Sequence, residues 1–174
     1  MSTEFKAVTP QRAVEIMEAW AYHPWPITFD EGTRIYTSLG MRGDPEEPRF
    51  FYSDLAETEA DSSFIVRDYG ISSCKIRLSN WLPEEYWDRS RPRARAYYSD
   101  LVRVFCGMLG APIFAKDDDV RSSSRWVTDK QVGVRLGGGA TLVILTVDSP
   151  QRTRNFLDEL EAEANGEEIG ADYF

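Results

Sequence analysis

RWVTDKQVGVRLGGGATLVILTVDSPQRTRNFLDEL, residues 125–160, leads three strand-like runs straight into an amphipathic helix. Residues 125–128 and 131–136 are joined by Asp129-Lys130, a link of hairpin length with half of the favoured turn chemistry. The triplet Gly137-Gly138-Gly139 admits positive φ and predicts the next reversal. Residues 140–147, ATLVILTV, are apolar on both faces instead of alternating, the pattern of a strand inside a sheet. Ser149-Pro150 then supplies an N-cap and a proline at the first helical position, where its missing N–H costs nothing. Thr153, Phe156, Leu157, Leu160 and Ala164 recur at three- and four-residue spacings, so one face of that helix is expected on the core, and Asn165-Gly166 ends it.

Upstream, Thr9-Pro10 repeats the cap-then-proline signature, and Ala13, Val14, Met17, Trp20 and Ala21 form the apolar stripe of a first helix. Two prolines at His23-Pro24-Trp25-Pro26 stop it. Thr28 and Glu31 resemble a capping box for a short second helix ending at Gly40. Strands are predicted over 50–53, 64–69 and 71–79, with an acidic loop over 54–62 between the first two. In the third, Cys74, Ile76 and Leu78 share one face and Ser73, Lys75 and Arg77 the other, so one side of the sheet is wetter or is covered by something polar. Ser90 and Pro92 are expected to open the longest helix, and Gly110 and Pro112 to end it. Residues 113–115 suit an edge strand, and 117–124 a charged connector. The order helix-helix-β-β-β-helix-β-β-β-helix, with short strand connections, predicts a single α+β domain over 1–166. Its sheet is mostly antiparallel, with about five to six strands and helices packed on it, and a flexible tail over 167–174.

Composition narrows the function. The chain has 174 residues, 42% of them hydrophobic, enough for one core. Its 20 Lys and Arg against 29 Asp and Glu give a formal charge of −9. Phosphate binding needs the opposite excess, which argues against nucleic acid and anionic membrane as partners and suits a basic partner or merely a soluble cytosolic protein. No apolar run approaches the roughly 20 residues that span a bilayer. Residues 1–10 carry Glu4 and Lys6 and lack a signal-peptide core, so a cytoplasmic location with free thiols at Cys74 and Cys106 is expected.

Candidate chemistry is thin. LGGGA joins two strands, whereas a phosphate cradle joins a strand to a helix, which leaves a plain turn or a contact loop. His23 is the one histidine, so any Ser-His, Cys-His or multi-histidine metal arrangement has a single candidate, and its place at a helix end suits a structural or surface role. Asp117-Asp118-Asp119 lacks the spacing of a calcium loop. No catalytic residue, metal or cofactor is therefore expected. The cluster with most to offer joins the acidic loop (Asp54, Glu57, Glu59, Asp61) to Trp81, Glu84, Glu85 and Trp87. Carboxylates beside aromatics steer and anchor a basic partner, with Gly137, Gly138 and Gly139 as a loop free of side chains. Trp81 and Trp87 are equally suited to plugging one end of the core.

WPITFDEGTRIYTSLGM (25–41), the strand ending LSNW (78–81), the helix closing in LGAP (109–112) and Arg125-Trp126 together resemble a family of small actinobacterial domains of unknown function. Trp25, Phe29, Asp30, Leu39-Gly40 and Trp81 match its pattern, while Met41 stands where it has an aromatic and Pro26-Ile27 departs from its tryptophan run. Genes of this kind often lie near secreted polymorphic toxins. The resemblance therefore implies an immunity role by association, with no catalytic residues to transfer. The expectation is a non-enzymatic protein-binding domain, most sharply an immunity protein (antitoxin) that blocks a basic toxin domain. The alternatives are a secretion-chaperone-like accessory protein and an enzyme using unmarked Asp and Glu carboxylates.

Overall fold

In the computed structural model, which describes residues 3–166, Thr9 accepts the Arg12 backbone N–H and opens α1 (Pro10–Ala21). Thr28 does the same for Glu31 at the start of α2 (Phe29–Ser38). The Glu31 carboxylate lies 3.3 Å from His23 Nε2, a hydrogen-bond contact that ties the helix to the turn before it. Four strands follow: β1 (Arg42–Gly43), β2 (Phe50–Tyr52), β3 (Ser62–Arg67) and β4 (Gly70–Arg77). The long α3 (Trp87–Leu109) precedes β5 (Phe114–Asp117), β6 (Ser122–Val127), β7 (Gly133–Gly138) and β8 (Val143–Asp148), and α4 (Pro150–Ala164) closes the order.

All the pairings are antiparallel and the strand order is β1-β2-β3-β4-β8-β7-β6-β5. Two four-stranded meanders thus meet at β4 and β8 in the middle of one sheet. The α+β class holds, but the strand count is eight and not five to six. β1 has two residues and no period to read. Ser122, Ser123 and Ser124, expected as connector, are strand because β5 and β7 pair with them on either side.

β8 occupies the interior position that its apolar run predicts, though it starts at Val143. Val143, Leu145 and Val147 are fully buried. Cys74 and Ile76 of β4 flank the last two on one side, and Val134 and Leu136 of β7 on the other. Trp20 of α1, Tyr36 of α2 and Phe105 of α3 join the same cluster, so three helices cover this face. Each large side chain so buried contributes about 1.5–3 kcal/mol. The last helix lies on the opposite face. Only Thr153 of its predicted stripe is fully buried.

Two reversals differ from expectation. The β6–β7 link is a three-residue loop closed by Thr128 N–H to the Val132 carbonyl at 2.9 Å, with Gln131 at φ 67°. That is a type I turn followed by a left-handed residue, which suits the strand twist where Asp129-Lys130 alone would not. The glycine triplet is not the next turn. Gly137 and Gly138 belong to β7, and the reversal closes from the Gly139 N–H to the Leu142 carbonyl at 2.9 Å. Positive φ is not found in the triplet. A Cβ on Gly138 would stand 3.0 Å from the Tyr98 ring, so close packing explains that glycine. α3 also begins earlier than Ser90, at Trp87, straight out of a 3-10 turn over Glu84–Tyr86, and takes Pro92 inside it.

Candidate functional site

The LSNW segment ends β4 and decides where Trp81 goes. Leu78 is fully buried. The Ser79 hydroxyl donates to the Thr141 carbonyl at 2.7 Å and accepts the Val143 N–H at 2.8 Å, a buried clamp on β8. Asn80 holds the N-terminal segment: its amide nitrogen donates to the Glu4 carbonyl at 2.8 Å and its oxygen accepts the Lys6 N–H at 2.7 Å. With three residues anchored inward, the fourth is turned out, and Trp81 is 51% exposed.

The acidic loop is folded back toward it by two of its own carboxylates. Asp61 accepts the Ser53 N–H at 2.9 Å and the Ser53 hydroxyl at 2.6 Å. Asp54 accepts Arg12 Nε at 2.8 Å and Nη2 at 3.1 Å. Hydrogen bonding to Asp54 is the main reason the Arg12 guanidinium is held above its ordinary value. Arg12 also donates to the Leu39 carbonyl, so one side chain joins α1, the end of α2 and the loop. Glu57 and Glu59 are exposed and have no ion pair or hydrogen bond among the described residues.

Between this loop and Trp81 lies a cleft of about 580 Å³, lined by Leu55, Glu57, Glu59, Arg77, Asn80 and Trp81 among others. That volume falls within the range of ligand pockets and takes a few side chains of a partner. Of the residues singled out in the sequence, the cleft brings together Glu57, Glu59, Asp61 and Trp81. Asp54 and Asp61 are occupied in holding the loop. Trp87 is half-buried against the small cluster of Phe5, Leu82 and Ala94, with its indole N–H donated to the Leu82 carbonyl at 2.9 Å. Glu84 and Glu85 are exposed on the turn before α3. The glycines split three ways. Gly137 shares with Arg77 the face of the sheet that carries α4, through the row Arg77–Ile144–Gly137, Gly138 lies under Tyr98, and Gly139 is in the hairpin turn.

Sequence reasoning placed Arg77 on a wet face without seeing that the loop over 54–61 folds beside it. It also missed a cluster on the α4 side. The buried Asp148 carboxylate accepts Arg135 at 3.0 and 3.2 Å, lies 3.3 Å from Arg152 Nε and 4.0 Å from Arg125. Burial, then the charge of Arg135, push the Arg125 guanidinium down to about 10. Its flat face lies 3.3 Å over the Phe156 ring. The cluster fastens α4 to the sheet; the register that gathers it spans three strands and has no local signature.

Other candidate groups are held structurally. Asp118 accepts the N–H groups of Val120 and Arg121 at 2.8 Å, and these bonds hold its carboxyl below the ordinary range. Asp117 pairs with Arg95 at 3.1 Å. The Cys74 thiol is fully buried and pushed well above its ordinary value by that burial, which makes it a poor nucleophile. Among the described residues no group of three His, Cys, Asp or Glu is placed to hold a metal ion, and no helix is long and apolar enough to cross a membrane. The model of one protein family, described as a family of unknown function (DUF6301), matches residues 11–149, from the first turn of α1 to the end of β8. No curated protein and no solved structure matches the chain.

Proposed function

The chain belongs to DUF6301, a family of unknown function, and on that premise we propose from its geometry that it is a non-enzymatic protein-binding domain whose partner is basic. One observation carries the reading: half-exposed Trp81 stands beside a cleft whose rim carries Glu57 and Glu59, which have no partner among the described residues. An indole left in water gains from being covered, and aromatic anchors dominate interface energies. Unpaired rim carboxylates raise the association rate of a cationic partner and fix its orientation. The formal charge of −9 acts in the same direction at longer range.

In its sharper form the partner is a basic toxin domain and this chain is the immunity protein that covers it. The test is binding at micromolar concentration to the products of adjacent genes, followed by kinetics. Glu57→Lys with Glu59→Lys slows association, by about tenfold at low salt and much less at high salt, as screening requires. Trp81→Ala shortens the lifetime of the complex at every salt concentration. No binding to any such product sinks the partner reading. Binding without protection of cells that express the partner domain sinks the immunity form alone.

A further inference from the structure

Among the described residues Arg77 is the one cation lining this acidic cleft. Its Nε is buried and has no hydrogen-bond acceptor among the described residues. A buried donor without an acceptor is destabilising, the more so when it belongs to a charged group. Lys75, two residues earlier on the same face of β4, is exposed and also unpaired among the described residues. The register sets Ser63 and Thr146 opposite Lys75, and Ile144 opposite Arg77, so these cross-strand neighbours supply no carboxylate. Asp61, the nearest acid in the cleft by sequence, spends its oxygens on Ser53 and Ser62. In a chain so rich in carboxylates, these two neighbouring cations have none as a partner among the described residues.

We propose that Arg77 is a carboxylate receptor. The partner segment whose basic residues meet Glu57 and Glu59 also carries an Asp or Glu that seats against the Arg77 guanidinium, with exposed Lys75 supporting it from the same face of β4. The planar fork of arginine matches a carboxylate in two hydrogen bonds, which a lysine cannot reproduce. The inference rests on the basic-partner reading for the rest of the segment, though not for the anion site itself.

The test uses the full chain labelled with nitrogen-15, with the Arg77 Nε–H resonance assigned by its absence from Arg77→Lys. Two peptides serve as probes, acetyl-Lys-Gly-Asp-Gly-Lys-amide and its Asn counterpart, with sodium acetate against sodium chloride as a third arm. The Asp peptide is expected to move the resonance at about tenfold lower concentration than the Asn peptide, the scale of one hydrogen bond to a charged group. Replacing Arg77 removes its own resonance, so variants there are read on the indole N–H of Trp81 in the same cleft, on which Arg77→Met should erase that preference. Glu57→Gln with Glu59→Gln should weaken both peptides alike and keep their ratio. If Arg77→Met does not fold, Arg77→Lys, which keeps the charge and loses the fork, must still reduce the ratio. Equal response to the two peptides overturns the proposal, as does a resonance unmoved by peptide and acetate. Response to acetate with no binding of either peptide keeps the receptor and removes the basic partner.

Discussion

Trp81 and Trp87 stand in one short aromatic and acidic segment and do opposite things. Trp81 follows Ser79 and Asn80, whose side chains are both bound inward, and it is left half in solvent. Trp87 opens α3 and bonds back to Leu82 across its own turn. Replacing Trp81 with alanine should therefore change the unfolding free energy by no more than about 0.5 kcal/mol, as for surface positions in general. Trp87→Ala should cost about 2–3 kcal/mol, somewhat less than a fully buried tryptophan. Urea titrations of the two variants check this, and equal losses would mean that Trp81 is packed in solution. The carboxylates divide in the same way. Asp54 and Asp61 are spent on Arg12 and Ser53, whereas Glu57 and Glu59 face water. Composition alone weights all four equally, because a bond between positions 12 and 54 leaves no trace in either neighbourhood.

At the scale of elements, the hairpin between β3 and β4 depends on Gly70. Its φ is +111°, and a Cβ there would lie 2.6 Å from the Ile27 carbonyl oxygen, which accepts the Ile71 N–H at 2.8 Å. The strand edge thus docks directly on the chain that leads into α2, with no room for a side chain. Gly70→Ala combines backbone strain with a clash against main chain, and should lower stability by about 2 kcal/mol or more. Thermal unfolding measures it, and a variant as stable as the parent would show that the Ile27 segment can move away. Cap signals were legible at this scale because they act within one turn: Thr9-Pro10 and Ser149-Pro150 each start their helix where expected. The start of α3 was not. The backbone entering Trp87 is already turning in the 3-10 segment, so no side-chain cap is used and Ser90 is carried into the helix as a buried residue.

For the molecule as a whole, burial of protonated acids sets the alkaline limit. The Cys74 thiol is pushed well above 9.0, and the Tyr36 hydroxyl, donated to the Ser63 carbonyl at 2.7 Å, well above 10.0. Burial raises Tyr97 and Tyr98 as well. A raised folded value means that the stabilisation is complete below the unfolded value and is lost as pH climbs past it toward the folded one. Arg125 acts with the opposite sign: folding lowers it from 12.5 to about 10, so the folded state gains on the unfolded one between those limits. Four groups oppose one. The urea midpoint should hold level to about pH 8.5 and fall beyond about pH 9, following the thiol first and the phenols after it. A midpoint that holds or climbs through about pH 10.5 would contradict the burial of these groups.

The α+β class, the antiparallel pairing, the helix starts at Thr9 and Ser149 and the apolar face of β4 were legible in the sequence alone, whereas Ser73 on the polar face is buried beneath α4's side of the sheet. Each legible feature is written in residues within a turn or a strand of one another. Tertiary structure alone decided that β8 inserts beside β4, that α4 lies on the opposite face from the other helices, and that the loop over 54–61 folds against Trp81 to leave a cleft with Arg77 in its wall. A hydrophobic period states that a face must be buried and is silent about what buries it. That choice belongs to the packing of strands distant in the chain, and it separates the carboxylates bound inside the fold from those left to meet a partner.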